Sequence, residues 1–324
     1  MIALIFSCTP QKEHQATVFK KINQETLANS RAYETLEEAT KTIGHRLTGS
    51  EEGAKAEEYT YNLLKSYGLN VAYQPFEVES WSRGTIDVKI GGRNNLADMP
   101  AVTLAHSPVK AEVTGEIVDM GNGLEADYAA KPRAVKGKIA LVYIGVLPGS
   151  PEGTQNLHRS EKTALAIQNG AKGIIIINQV DGGVLLTGTA SVTGSLISIP
   201  AVCIGKEDGM ALKETLAKNK QYSSIRMTNQ SGLINARNVI ATIEGSELPE
   251  EKIIVGGHLD SWDLATGAID NGIGSFAVLD MARTFAALDL KPKRTVQFVM
   301  FMGEEEGLLG SRYMVDEAVK NGTI

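Results

Sequence analysis

Cysteine is scarce in this chain. Cys8 and Cys203 are the only two among 324 residues, too few for a disulfide framework. No stretch is apolar for long enough to span a membrane as a helix. There is no Gly-x-Ser-x-Gly nucleophile elbow, which argues against a serine hydrolase. Gly121-Asn122-Gly123 and Gly182-Gly183 are not followed by Lys-Ser or Lys-Thr, so neither forms a phosphate-binding loop. Positive charge is in deficit as well. The formal net charge is -6, and this mildly acidic balance argues against a nucleic-acid partner. The apolar share of 43% is ordinary for a globular chain, and the length fits roughly two domains.

What the chain does have is concentrated in its last quarter. Ile253-Ile254-Val255 is a short β-branched run closed by Gly256 and Gly257. It reads as a buried strand of a mainly parallel sheet. His258 and Asp260 fall just past its carboxyl end, where open α/β sheets place their ligands. After a loop comes Asp270-Asn271-Gly272, followed by a helical pattern in which Ile273, Phe276, Ala277, Met281 and Leu288 are spaced to line one face. Thr295 to Phe301 is the next strand, and Glu304 and Glu305 lie beyond its carboxyl end. An imidazole and several carboxylates therefore arrive at one rim.

Zinc accepts His nitrogen and carboxylate oxygen where no thiolate is offered. A single carboxylate such as Asp270 can serve two metals, one oxygen to each. Neighbouring Glu304 and Glu305 point apart if they leave a strand, so one as ligand and the other as general base is the natural division. Asp260 can accept the second imidazole N–H and hold the ring. Each motif also has a plainer reading: a lone His after a strand is usually a polar rim residue, and a Glu run is usually a solvated helix start. Three such motifs at strand ends favour the metal site.

These residues resemble the co-catalytic dizinc aminopeptidase and glutamate carboxypeptidase family, with the nearest likeness to the plasma glutamate carboxypeptidase type. The likeness runs from about Arg31 to the end of the chain. It rests on His258-x-Asp260, Asp270-Asn271 and Glu304-Glu305, with Gly44 to Ser50 and the helical Ala54 to Tyr67 as a similar amino-terminal region. The resemblance implies two zinc ions per site. His258 would bind one, Glu305 the other, and Asp270 would bridge them. Glu304 would be the general base, taking a proton from a metal-bridging water and later giving it to the leaving amine. Asp260 would orient His258, and the peptide after Asp270 is often cis in this family. The implied activity is that of a zinc-dependent exopeptidase on a peptide substrate.

The family completes its site with one more Asp and one more His further along. No residue here matches them, and His14, His45, His106 and His158 all precede the motif. The expectation is that the chain is a piece of the enzyme, with weak or no zinc binding and little activity of its own; the other reading is a non-catalytic binding or receptor-like module on the same fold.

The expected architecture is α/β, a mainly parallel mixed sheet flanked by helices, with an inserted β-rich protease-associated domain. The divisions are 1–22 for a signal-like segment and tether, 23–106 with 230–324 for a discontinuous peptidase domain, and 107–229 for the insert. Met1 to Cys8 resembles the tail of a bacterial lipoprotein signal. That makes Cys8 a lipidation candidate, with membrane attachment in the cell envelope or periplasm as the expected location. A homodimer is the candidate assembly. Cys203, in the apolar run Ile199 to Ile204, is expected to be buried. One helix is expected from Asn23 to about Thr42, and two separate strands over Asn70–Glu79 and Ile86–Ile90.

Overall fold

The computed structural model describes residues 15–323. Cys8 and His14 lie outside that range. In chain order the helices are α1 (Gln15–Asn29), α2 (Ala32–Thr42), α3 (Glu51–Ser66), α4 (Glu125–Ala130), α5 (Arg159–Gln168), α6 (Lys206–Leu216), α7 (Ile273–Ala287) and α8 (Leu309–Lys320). The strands are β1 (Asn70–Gly92), β2 (Asn95–Asp98), β3 (Ala101–Thr103), β4 (Lys110–Asp119), β5 (Ile139–Tyr143), β6 (Gly173–Ile177), β7 (Ala201–Ile204), β8 (Tyr222–Ile243), β9 (Leu248–His258) and β10 (Arg294–Phe301). Among the described residues, no helix is long and apolar enough to cross a membrane.

The sheet is mixed, curled and flanked by helices. Its backbone is a ribbon of two long antiparallel strands, β1 and β8, paired from Asn70 opposite Thr242 to Gly91 opposite Tyr222. The two expected strands are thus one. The pairing shifts register between Arg83 and Ile86, and this irregularity mimics a strand end in the sequence pattern. At one end of the ribbon β8 pairs with β10, which runs parallel to β9. At the other end β8 pairs with β4, which opens the parallel order β4-β5-β6-β7. Residues 229 and 230 both lie inside β8, so the ribbon passes unbroken between the two ends of the molecule.

Each end has its own core. Near the amino and carboxyl ends of the chain, Ala56 and Leu64 of α3, Phe276 and Leu279 of α7, and Phe298 and Met300 of β10 pack into one cluster. In the insert, β5 and β6 are buried on both faces, as expected of parallel strands covered by helices. Ala140, Ile174 and Cys203 face one cluster, and Ile139, Ile175 and Ile204 the other. Cys203 is buried, as expected. Helix α6 covers the second face through Leu212.

Three local expectations are corrected. Ile253 and Ile254 form part of β9 but are not buried, at 47% and 51% exposed, because β9 is an edge strand that pairs only with β10 among the described residues. The expected Asn23–Thr42 helix is broken at Ser30 and Arg31, because Arg31 turns out of helical geometry and donates its backbone N–H to Asp280 of α7 at 2.9 Å. The face proposed for α7 is only partly right. Phe276 is buried, but Ile273 is 60% and Met281 47% exposed. The buried side instead takes Val278, Leu279 and Ala282 together with Asp280 and Arg283. Arg283 ion-pairs with Asp280 and with Glu25 of α1, both at 2.6 Å. A helix that buries charged residues cannot be oriented by apolar spacing alone.

Candidate active site

β9 and β10 run in parallel with His258 directly opposite Phe301. Their carboxyl ends therefore open at one level. His258 closes β9, and Glu304 and Glu305 follow β10 in a turn ahead of α8. Asp270 comes in between them, in the irregular turn that leads into α7, and its peptide bond to Asn271 is cis. Ser275 of α7 donates its hydroxyl both to the carbonyl of His258 and, at 3.0 Å, to that of Asn271. This holds the start of α7 against the end of β9.

The result is a tight group. His258, Asp270 and Glu305 each offer one ligand atom, and the three atoms lie within 4.8 Å of one another. His258 Nε2 is 3.2 Å from Asp270 Oδ1 and 3.8 Å from Glu304 Oε2. On the far side of the ring, Nδ1 meets the backbone carbonyl of Asp260 at 3.1 Å, with the Asp260 carboxylate 3.6 Å away. That carboxylate, fully buried, accepts the backbone N–H groups of Glu304 and Glu305 at 3.2 Å each. Glu306 is buried outright, so the Glu run is not a solvated helix start.

The electrostatics follow from crowding acids round one imidazole. Burial alone would lower the pKa of His258, but the carboxylates of Asp260, Glu304 and Glu305 outweigh it and raise the ring to about 9. Burial, reinforced by Asp260 and Asp270, pushes Glu305 up to about 8 despite the neighbouring imidazole. Glu304 is shifted upward for the same first reason, with His258 opposing. Burial holds Glu306 well above the usual carboxylate range. Groups so shifted compete for protons because the pocket is rich in negative charge, and a divalent cation would relieve the same repulsion.

Arg46 is a residue that sequence reasoning passed over. It lies in the segment Gly44 to Ser50, quoted for its likeness but given no role. Its side chain is fully buried. It donates to the carbonyls of Leu259 at 2.5 Å, Thr266 at 2.8 Å and Gly267 at 2.8 Å, while its own N–H meets Ser261 Oγ at 3.0 Å. One guanidinium thus pins the loop that joins His258 to Asp270. The close approach explains Gly267: its φ is +62°, and a Cβ there would sit 2.2 Å from that of Ser261.

A cavity of about 420 Å³ adjoins the group. Its walls include Trp262, Thr266 and Ile269 of the pinned loop, Thr187 of the insert, and Asp270 and Glu305 themselves. The other described histidines are engaged elsewhere. His45 lies 3.8 Å from Glu52, His106 meets Thr189 Oγ1 at 2.8 Å, and His158 contacts Ser160 Oγ at 2.8 Å at the start of α5.

Comparison with known proteins agrees with this arrangement. The profile of Peptidase family M28 matches residues 238–323, and that of the PA domain matches residues 113–212. Carboxypeptidase Q of Xenopus laevis is 30% identical over 91% of this chain and 63% of its own length. The structure of an aminopeptidase from Aneurinibacillus sp. strain AM-1 superposes with a TM-score of 0.70 at 31% identity, covering 92% of this chain and 68% of that one. BSAP, a zinc aminopeptidase from Bacillus subtilis, superposes with a TM-score of 0.65 at 26% identity over 88% of this chain and 64% of that one. The chain spans 63% and 57% of two curated relatives it matches.

Proposed function

Because the chain belongs to Peptidase family M28, we propose that it carries the catalytic side of a zinc-dependent exopeptidase. The observation behind this reading is the convergence of His258, Asp270 and Glu305 within 4.8 Å. One nitrogen and two carboxylate oxygens match the donor set of a catalytic zinc, at bond lengths of roughly 2.0–2.2 Å. We assign these three residues to the metal site: His258 would hold one zinc, Glu305 the other, and Asp270 would serve both. Bound zinc would polarise the scissile carbonyl and acidify a water.

The rest of the chemistry falls to this chain's own groups. Glu304 faces the cluster, its Oε2 3.8 Å from His258 Nε2, and is not one of the three grouped donors. Its upward shift suits a base that takes a proton from the attacking water and returns it to the leaving amine. Asp260 keeps His258 and the two glutamates in register from behind. The cavity lined by Trp262 and Ile269 would receive the side chain next to the scissile bond.

Relatives carry both carboxypeptidase and aminopeptidase names, so the test uses short peptides blocked at one end or the other. Weak turnover of one class that is abolished by chelation and restored by excess zinc is expected. A chain that binds stoichiometric zinc yet cleaves neither class would overturn the reading.

A further inference from the structure

Arg83 joins two parts of the molecule beside the cavity. It sits at the register shift of β1, its side chain only 10% exposed. Its Nε and Nη2 both meet the Asp263 carboxylate at 3.0 Å, and Nη2 also donates to Thr187 Oγ1 at 2.6 Å. The guanidinium lies over the Trp81 ring, 5.2 Å from its centroid, and Trp81 is in turn anchored to the carbonyl of Ser107 at 3.0 Å. Asp263 belongs to the loop pinned by Arg46, whereas Thr187 belongs to the insert.

Each wall is stiff on its own side. Around Thr187 the loop is held by Ala105, whose N–H meets the Gly188 carbonyl at 2.9 Å, and by Arg159, whose Nε meets the Thr189 carbonyl at 3.1 Å. Gly188 has a φ of +133°, which side chains rarely adopt, and a Cβ there would displace the Arg159 guanidinium. Across the cavity stand Trp262, Thr266 and Ile269. Arg83 Nη2 alone reaches both walls, and Nε adds a second bond to Asp263; a lysine ammonium carries the charge but loses this planar, two-pronged grip on the carboxylate.

We propose that Arg83 is a positioning residue that sets side-chain selectivity: by tying Thr187 of the insert to Asp263 of the loop between His258 and Asp270, it fixes how large an apolar group the cavity admits. The selectivity rests on the exopeptidase reading; the tie itself does not.

The test uses the full chain with Arg83→Lys, Arg83→Ala and Thr187→Val, the first and last chosen as mild changes that keep the fold. The two tryptophans of the chain, Trp81 and Trp262, both lie at the junction, so acrylamide quenching reports the tie without any turnover. Quenching is expected to rise about twofold in all three variants. Titration with the amides of alanine, leucine and phenylalanine, followed by the same fluorescence, should show the phenylalanine-to-alanine preference moving about tenfold toward the larger group. On the matching peptide substrates KM should shift with side-chain size while kcat changes less than about threefold. Quenching that stays at the wild-type level overturns the tie. Raised quenching with an unaltered size preference overturns its role in selectivity. If the wild-type chain cleaves no peptide, the exopeptidase reading fails, while quenching and amide binding still decide the matter of Arg83.

Discussion

The Asp260 carboxylate accepts the backbone N–H of Glu305 at 3.2 Å from across the strand pair. Its other oxygen takes the N–H of Glu304 at the same distance. Asp260 therefore bolts the end of β9 to the turn after β10, and its backbone carbonyl faces His258 Nδ1. A single residue sets the spacing between the imidazole and both glutamates. Groups in this supporting position matter nearly as much as the donors themselves.

Asp260→Asn tests that link. The amide offers one acceptor oxygen where two amide N–H groups now find one each, and it removes a charge beside the imidazole. Zinc affinity, read by competition with a chromophoric chelator, is expected to fall by about 10–100-fold. The melting temperature should drop as well, since a buried N–H loses its partner. Affinity equal to wild type would mean that the two strand ends hold their spacing unaided.

Glu304→Gln separates proton handling from metal binding. The side chain keeps its size but can no longer accept a proton, whereas His258, Asp270 and Glu305 are untouched. The expected loss in kcat is about 10²–10⁴-fold, with zinc content unchanged by elemental analysis. Wild-type kcat in this variant would remove Glu304 from the proposed chemistry.

The groups at the strand ends were legible because the pattern that marks them is local. β-branched runs announce β9 and β10, and His258, Asp260, Glu304 and Glu305 follow within a few residues of each. The bolts between them were not legible. Arg46 meets the carbonyl of Leu259 across a separation of 213 residues, and Arg83 meets Asp263 across 180. Nothing in the spacing of either arginine marks it as buried, and arginine is ordinarily a surface residue. The same blindness misplaced the face of α7, where Asp280 and Arg283 are buried through partners on α1 and at Arg31.

Arg46→Met follows from that buried contact. Methionine fills similar volume but leaves the carbonyls of Leu259, Thr266 and Gly267 without their donor. Each orphaned acceptor costs about 1–3 kcal/mol, so a loss of more than about 3 kcal/mol in urea unfolding is expected. Removal of the pin should also let the loop carrying Asp270 drift. Zinc affinity should then fall even under conditions where the variant stays folded.

His106 predicts a pH dependence of stability remote from the cluster. Its ring is fully buried against Thr189, and burial lowers its pKa to about 4. Unfolded histidine titrates near 6.5. Above that value both states are neutral and the contribution is complete. As pH falls toward 4 the unfolded chain takes up a proton that the folded chain refuses, and stability is lost. The shift corresponds to about 3 kcal/mol over this window. His106 has a positive φ of 64°, which asparagine tolerates well, so His106→Asn removes the titration without imposing a new backbone shape. Between pH 6.5 and 4 the variant should lose about 3 kcal/mol less than wild type in parallel denaturant titrations. Parallel slopes for the two proteins would show that the ring takes up a proton as readily folded as unfolded.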